Sequence, residues 1–273
     1  MQLRASRHSR LLAMAGAACL AGLPVFAIAA SANAASSVHY VALGDSYSSG
    51  LGAGSYFGSS GSCDRSANAY SQLWDNANAP ASYVSVACSG ATTQDVLNSQ
   101  LAALGTGTTL VSITIGGNDV GFSSVMTTCV LSSTSTCVSA IKEAETEMAN
   151  QLPAELNNVL AAIASHAPSA RVVVLGYPEL YDLSRSAGCI GLSTTDRTDL
   201  NQAADELDAQ VQAAAGRYRD SYADVRSAFA GHEICDSNSW LHSVDWFDLG
   251  DSYHPTASGQ SGAYYPVLTA AAG

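Results

Sequence analysis

Val38-His39-Tyr40-Val41-Ala42-Leu43-Gly44-Asp45-Ser46 is a short apolar, β-branched run that stops at Gly-Asp-Ser. A run without polar alternation is the pattern of a strand buried on both faces, and its ending sets Asp45 and Ser46 in the loop at the carboxyl end. The same grammar recurs downstream. Tyr83 to Ala87, Leu110 to Ile115 and Arg171 to Leu175 each close on Gly or a small polar residue, and a weaker run spans Ala223 to Phe229. Between them lie helix-period stretches over Ala67 to Asn78, Thr93 to Leu101, Val138 to Ser165 and Thr195 to Tyr218, with a last helix opening near Thr256. Strands alternating with helices predict an α/β domain, a three-layer α/β/α sandwich around a parallel sheet of about five strands.

Upstream of the first strand the chain reads as an address. Arg4, Arg7 and Arg10 precede a nearly continuous apolar stretch from Leu11 to Ala30, and Ala32-Asn33-Ala34 supplies small residues at both positions a signal peptidase reads. The expectation is a signal peptide over 1–34, cleaved after Ala34, and one domain over 35–273 that is soluble and extracellular. Eight basic residues then face 23 acidic ones, a net charge near −15. That surface repels phosphate backbones and argues against a nucleic-acid partner. Size and charge suit a monomer. Six cysteines remain after Cys19 leaves with the signal, an even number that suits an oxidising compartment and three disulfides. Composition alone does not choose the pairing, although neighbour pairing in chain order is the simplest.

In a parallel α/β sheet, ligands bind outside the carboxyl ends of the strands. The informative residues gather there: Gly44-Asp45-Ser46 after the first strand, Ser89-Gly90-Ala91-Thr92 after the second, and Gly116-Gly117-Asn118-Asp119 after the third. Far downstream comes Asp251-Ser252-Tyr253-His254-Pro255. A serine hydroxyl attacks a carbonyl at neutral pH only when an imidazole takes its proton, and an Asp or a backbone carbonyl must fix that ring's tautomer. His254, with Asp251 three residues before it, supplies both parts. The backbone N–H groups of Ser46 and Gly90 and the Asn118 amide are donors of the kind that stabilise an oxyanion.

These four blocks, in this order across nearly all of the mature chain, resemble the GDSL or SGNH hydrolases. The wording GDSYSSG and the six cysteines are most similar to the small secreted lipases, esterases and phospholipases of streptomycetes. The resemblance implies a flavodoxin-like α/β/α fold in which Ser46 is nucleophile and oxyanion donor, Gly90 and Asn118 complete the oxyanion hole, and His254 is the base. It also implies disulfides Cys63–Cys88, Cys129–Cys137 and Cys189–Cys235. Asp251 fits the family's D-x-x-H pattern, while some similar streptomycete enzymes orient the histidine through a main-chain carbonyl, a part open here to Ser252.

Other chemistries lack their residues. No H-E-x-x-H or aspartate-rich calcium loop is present, the P-loop lysine is missing beside Gly116-Gly117, and no G-x-S-x-G elbow occurs, so neither a metal nor a cofactor is expected. Glu143, Glu145 and Glu147 read as a solvated helix face, and His39, His166, His232 and His242 as surface or structural residues. The function expected is hydrolysis of acyl-lipid esters through an acyl-Ser46 intermediate, with transient contact with a lipid surface. Two readings stand beside it: a carbohydrate esterase removing acetyl groups, and a non-catalytic lipid- or glycan-binding protein. An apolar groove beside Ser46 marks the first, and an open polar cleft marks the sugar ester. The segment from His232 to Ser252, with Trp240, Trp246 and Phe247, is either a packed loop or part of an acyl pocket.

Overall fold

The structure, a computed structural model, describes residues 37–185, 189 and 191–273. The expected signal segment lies outside the described residues. Among them the sheet has five strands, β1 (His39–Gly44), β2 (Ser82–Ser85), β3 (Leu110–Thr114), β4 (Arg171–Leu175) and β5 (Ser221–Ala223), in the order β2-β1-β3-β4-β5. Every pairing is parallel. The three interior strands are buried along almost their whole length, which is why they carry Val, Leu and Ile without polar alternation. The edge strands β2 and β5 are half exposed and more polar.

Six helices of eight or more residues cover the sheet: α1 (Tyr70–Asn78), α2 (Phe122–Leu131), α3 (Thr134–Asn150), α4 (Leu152–His166), α5 (Thr194–Tyr218) and α6 (Tyr265–Ala272). From β1 the chain steps through α1 to β2 in one direction, whereas from β3 it steps through α2, α3 and α4 to β4 in the other. Right-handed crossovers then put α1 and the helices α2 to α5 on opposite faces. In keeping with this, α1 packs against α6, and α2, α3, α4 and α5 pack on one another. This is the three-layer α/β/α sandwich expected.

Two local expectations are corrected. The helix read over Val138 to Ser165 is two helices, α3 and α4, broken at Gln151. Pro153 stands in the first turn of α4, where its missing N–H costs nothing; inside one continuous helix it would remove a hydrogen bond and clash with the preceding turn. The run Ala223 to Phe229 ends as a strand at Ala223 and continues as a helical turn, Arg226–Phe229. There the Asp224 carboxylate accepts the Arg226 N–H at 2.9 Å, an Asx turn that starts a helix rather than extending a strand.

Cysteines pair in chain order, Cys63–Cys88, Cys129–Cys137 and Cys189–Cys235. The first ties the irregular segment after β1 to the loop after β2, and the second joins the end of α2 to the start of α3. Among the described residues no helix is long and apolar enough to cross a membrane.

Candidate active site

The connections leaving β1 and β3 diverge, so a crevice opens between the carboxyl ends of these two neighbours. Ser46 sits on one side and Asn118 on the other. Gly44 closes β1 with φ +119°, and a Cβ there would collide with the Thr114 carbonyl and stand 2.6 Å from Ser48 Oγ. Glycine is required by that contact. Asp45 then caps the helical turn Ser46–Ser49, accepting the Tyr47 N–H at 3.0 Å, and the turn lifts Ser46 to the rim of the sheet.

The base arrives from the far end of the chain. Ser46 Oγ lies 2.7 Å from His254 Nε2, and His254 Nδ1 lies 3.0 Å from the main-chain oxygen of Ser252. A carbonyl accepts only, so Nδ1 carries the proton and Nε2 is left with a lone pair toward the serine hydroxyl. Burial pushes the imidazole down to about 4, which keeps it neutral and basic at physiological pH. The Asp251 carboxylate is elsewhere, accepting the Tyr56 hydroxyl at 3.0 Å. Of the two orienting groups left open by the sequence, the Ser252 carbonyl is the one against the ring. Tyr253 between them holds φ +65°, a conformation an L side chain rarely adopts, and this kink turns both the carbonyl and the ring inward.

Opposite the imidazole are the donors. Asn118 gives one amide proton to the Ala91 carbonyl at 3.0 Å, which fixes its plane and leaves the second N–H. Gly90, with φ +77°, has nothing within 4 Å of where a Cβ would stand. Its neighbourhood is open, and it lines the same groove as Ser46 and His254. Asp119 braces the same pair of loops, accepting the Thr93 N–H and hydroxyl at 3.0 and 2.6 Å. A serine hydroxyl against a neutral imidazole, with Gly90 and Asn118 lining the same groove, offers the parts an acyl-transfer site requires. Among the described residues, no group of three or more His, Cys, Asp or Glu side chains is placed to hold a metal ion.

Residues 42–261 match the GDSL-like lipase/acylhydrolase family. The chain belongs to that family. It is similar over 96 % of its length and 96 % of the relative's to Lipase 1 of Streptomyces coelicolor, at 52 % identity. Phospholipase A1 from Streptomyces albidoflavus NA297 superposes with a TM-score of 0.83 at 53 % identity, covering 85 % of this chain and 98 % of that one. The extracellular lipase from Streptomyces rimosus superposes equally, at 0.83 and 50 % identity, over 86 % and 99 %.

Several residues that brace this GDSL hydrolase site have no motif in the sequence. Tyr177, just past β4, donates its hydroxyl to Asp45 Oδ2 at 2.5 Å and accepts the Gly117 N–H at 3.1 Å, so one phenol ties the Ser46 loop to the Asn118 loop. Asp45 is buried, and desolvation raises its carboxyl to about 7 despite that hydroxyl. Gln100 clasps Gly44 through both its amide atoms, at 2.7 and 2.9 Å. Tyr47 donates to the Tyr253 carbonyl at 2.7 Å, holding the histidine loop against the serine turn. His242 bonds the Gly52 carbonyl at 2.8 Å, a structural part as expected for it. The partners of these side chains lie 56 to 206 residues away, beyond the reach of any local pattern.

Ser46 opens onto a groove of about 360 Å³ walled by Phe122, Met126, Val130 and Leu131 on one side and Val244, Trp246 and Leu249 on the other. A smaller space of about 60 Å³, lined by Ser46 and Asn118, runs among Val125, Ile141, Met148 and Leu200. The segment His232 to Ser252 divides between both readings. Trp240 stacks on His232 with ring centroids 3.6 Å apart and is packed, while Trp246 lines the groove.

Proposed function

We propose that this chain is a secreted lipolytic serine hydrolase in which Ser46 attacks the carbonyl of an acyl-lipid ester and His254 is its base. The observation that carries the reading is the 2.7 Å contact of Ser46 Oγ with a neutral, carbonyl-oriented imidazole at the β1–β3 crevice. Nε2 takes the hydroxyl proton as Oγ bonds the carbonyl carbon. The negative oxygen that forms is met by the Ser46 and Gly90 backbone N–H groups and the free N–H of Asn118. Nε2 then protonates the departing alkoxide, leaving acyl-Ser46; water repeats the cycle with His254 again as base, and the fatty acid departs. The Ser252 carbonyl stabilises the transient imidazolium by keeping Nδ1–H bonded.

An apolar groove beside Ser46 supports a long acyl chain over an acetylated sugar, and the Streptomyces lipase and phospholipase A1 relatives point the same way. Three disulfides and the signal-like sequence of residues 1–34 support secretion, with cleavage placed after Ala34 in this reading. The test is hydrolysis of p-nitrophenyl esters from acetate to palmitate, and of a glycerophospholipid, by the parent and by Ser46→Ala. The reading expects longer chains to be favoured and all turnover to vanish in the variant. Acetate-only turnover would move the assignment to deacetylation, and turnover surviving in Ser46→Ala would refute the nucleophile.

A further inference from the structure

The mouth of the groove carries apolar side chains that no described residue covers. Trp246 is 64 % exposed and Leu249 65 %, Phe247 between them is fully exposed, and across the mouth Leu131 at the end of α2 is 68 % exposed. The loop's own hydrogen bonds hold them outward: Asp245 Oδ1 accepts the N–H groups of Phe247 and Asp248 at 2.8 and 3.2 Å, and Asp248 Oδ1 accepts that of Gly250 at 3.2 Å. Contiguous exposed apolar groups at a binding mouth mark a contact surface.

The charge around the mouth selects the partner. No Lys or Arg occurs from Ile115 to Ile141, which includes α2 and the start of α3, nor anywhere from Ser227 to Gly273. The loop's charges are the carboxylates of Asp245, Asp248 and Asp251, on a chain whose formal charge is −12 before any signal is removed. A surface that binds anionic lipid is studded with Lys and Arg. Here an anionic headgroup would meet only like charge, whereas a zwitterionic one offers its ammonium to the carboxylates and its acyl region to the aromatic and aliphatic side chains.

We propose that the loop 245–250 and the end of α2 seat the protein on a zwitterionic phospholipid surface, with Phe247 inserting beside the mouth of the groove. The proposal deepens the lipolytic reading and rests on it, because the seated orientation points the groove holding Ser46 into the lipid. Trp246 and Leu249 belong at once to the groove wall and to its rim. Phe247 touches lipid without lining the groove, so its part is separable from catalysis. An acyl chain would pass from the bilayer between Leu131 and Trp246 into the groove without crossing water.

The test uses protein carrying Ser46→Ala, so that vesicles stay intact, and follows binding to phosphatidylcholine and phosphatidylglycerol vesicles by sedimentation and by the tryptophan emission shift. Phosphatidylcholine is expected to bind with a blue shift and phosphatidylglycerol more weakly, the gap closing as salt is raised to about 0.5 M. Adding Phe247→Ser should weaken phosphatidylcholine binding about tenfold or more, the order set by withdrawing a buried aromatic side chain, while Phe247→Trp keeps it. On a Ser46 background, Phe247→Ser should turn over p-nitrophenyl acetate within twofold of the parent. Undiminished binding by Phe247→Ser, tighter binding to phosphatidylglycerol, no binding to either vesicle, or equal loss in Phe247→Trp would each overturn the proposal. Vesicle binding needs no turnover and p-nitrophenyl acetate needs no vesicle, so this proposal and the hydrolase reading fail separately.

Discussion

The two walls of the crevice are built on opposite principles. The strand-end wall, carrying Ser46, Gly90 and Asn118, hangs from the sheet and is braced by buried side chains whose partners are distant in sequence. The loop wall, from Asp245 to His254, is braced mostly by short-range turns and shows apolar side chains to solvent. In the proposed mechanism the first fixes donors where charge develops and the second meets substrate. Chemistry that depends on preorganised dipoles demands rigidity, whereas an apolar rim needs only to be exposed and correctly placed. The imidazole joins the walls: its ring belongs to the loop, yet Tyr47 of the serine turn holds the loop's Tyr253 carbonyl at 2.7 Å.

The comparison breaks most visibly on the strand-end side. Asn118→Ala removes the donor proposed for the oxyanion, and kcat should fall by roughly 10²–10³ with KM little changed, measured on a soluble ester. Groove substitutions such as Trp246→Ala should instead act through KM for long-chain esters. A protonated imidazole accepts no proton from Ser46. With His254 held down at about 4, kcat/KM on a soluble ester should therefore stay level below pH 6 and fall about tenfold per unit only under pH 4. A free histidine would give that limb near its ordinary value of about 6.5.

A smaller effect separates bracing from chemistry. Tyr177→Phe leaves Asp45 Oδ2 and the Gly117 N–H without their partner inside the protein, at a cost of about 1–3 kcal/mol. For a domain of this size each kcal/mol lowers Tm by roughly 2–4 °C. Because Tyr177 positions the Ser46 and Asn118 loops relative to one another, kcat should drop about tenfold, equivalent to about 1.4 kcal/mol of lost transition-state positioning. Unchanged kcat with a lowered Tm would reduce Tyr177 to a packing residue.

Legibility in the sequence follows the same division. Ser46, Gly90 and Asn118 are readable because each stands in the loop that follows a strand, and strands with the glycines after them are local patterns. The braces are not, since Tyr177 and Gln100 find their partners only after the sheet order 2-1-3-4-5 has formed. The α3–α4 break is legible in Pro153, but the apolar period continues on both sides of it and masks the break. Asp251 and Ser252 stood undecided for a different reason. Both lie within three residues of His254, and the choice turns on the positive φ of Tyr253, a conformation that a tyrosine does not advertise.

That choice is also where the account is most exposed, since it makes the site a Ser46–His254 pair oriented by a main-chain carbonyl. The decisive measurement is kcat/KM of Asp251→Asn on a soluble ester. The structure predicts a value within about threefold of the parent, because the carboxylate faces Tyr56 and not the ring. A loss of roughly 10³–10⁴, the scale of a working triad aspartate, would contradict it.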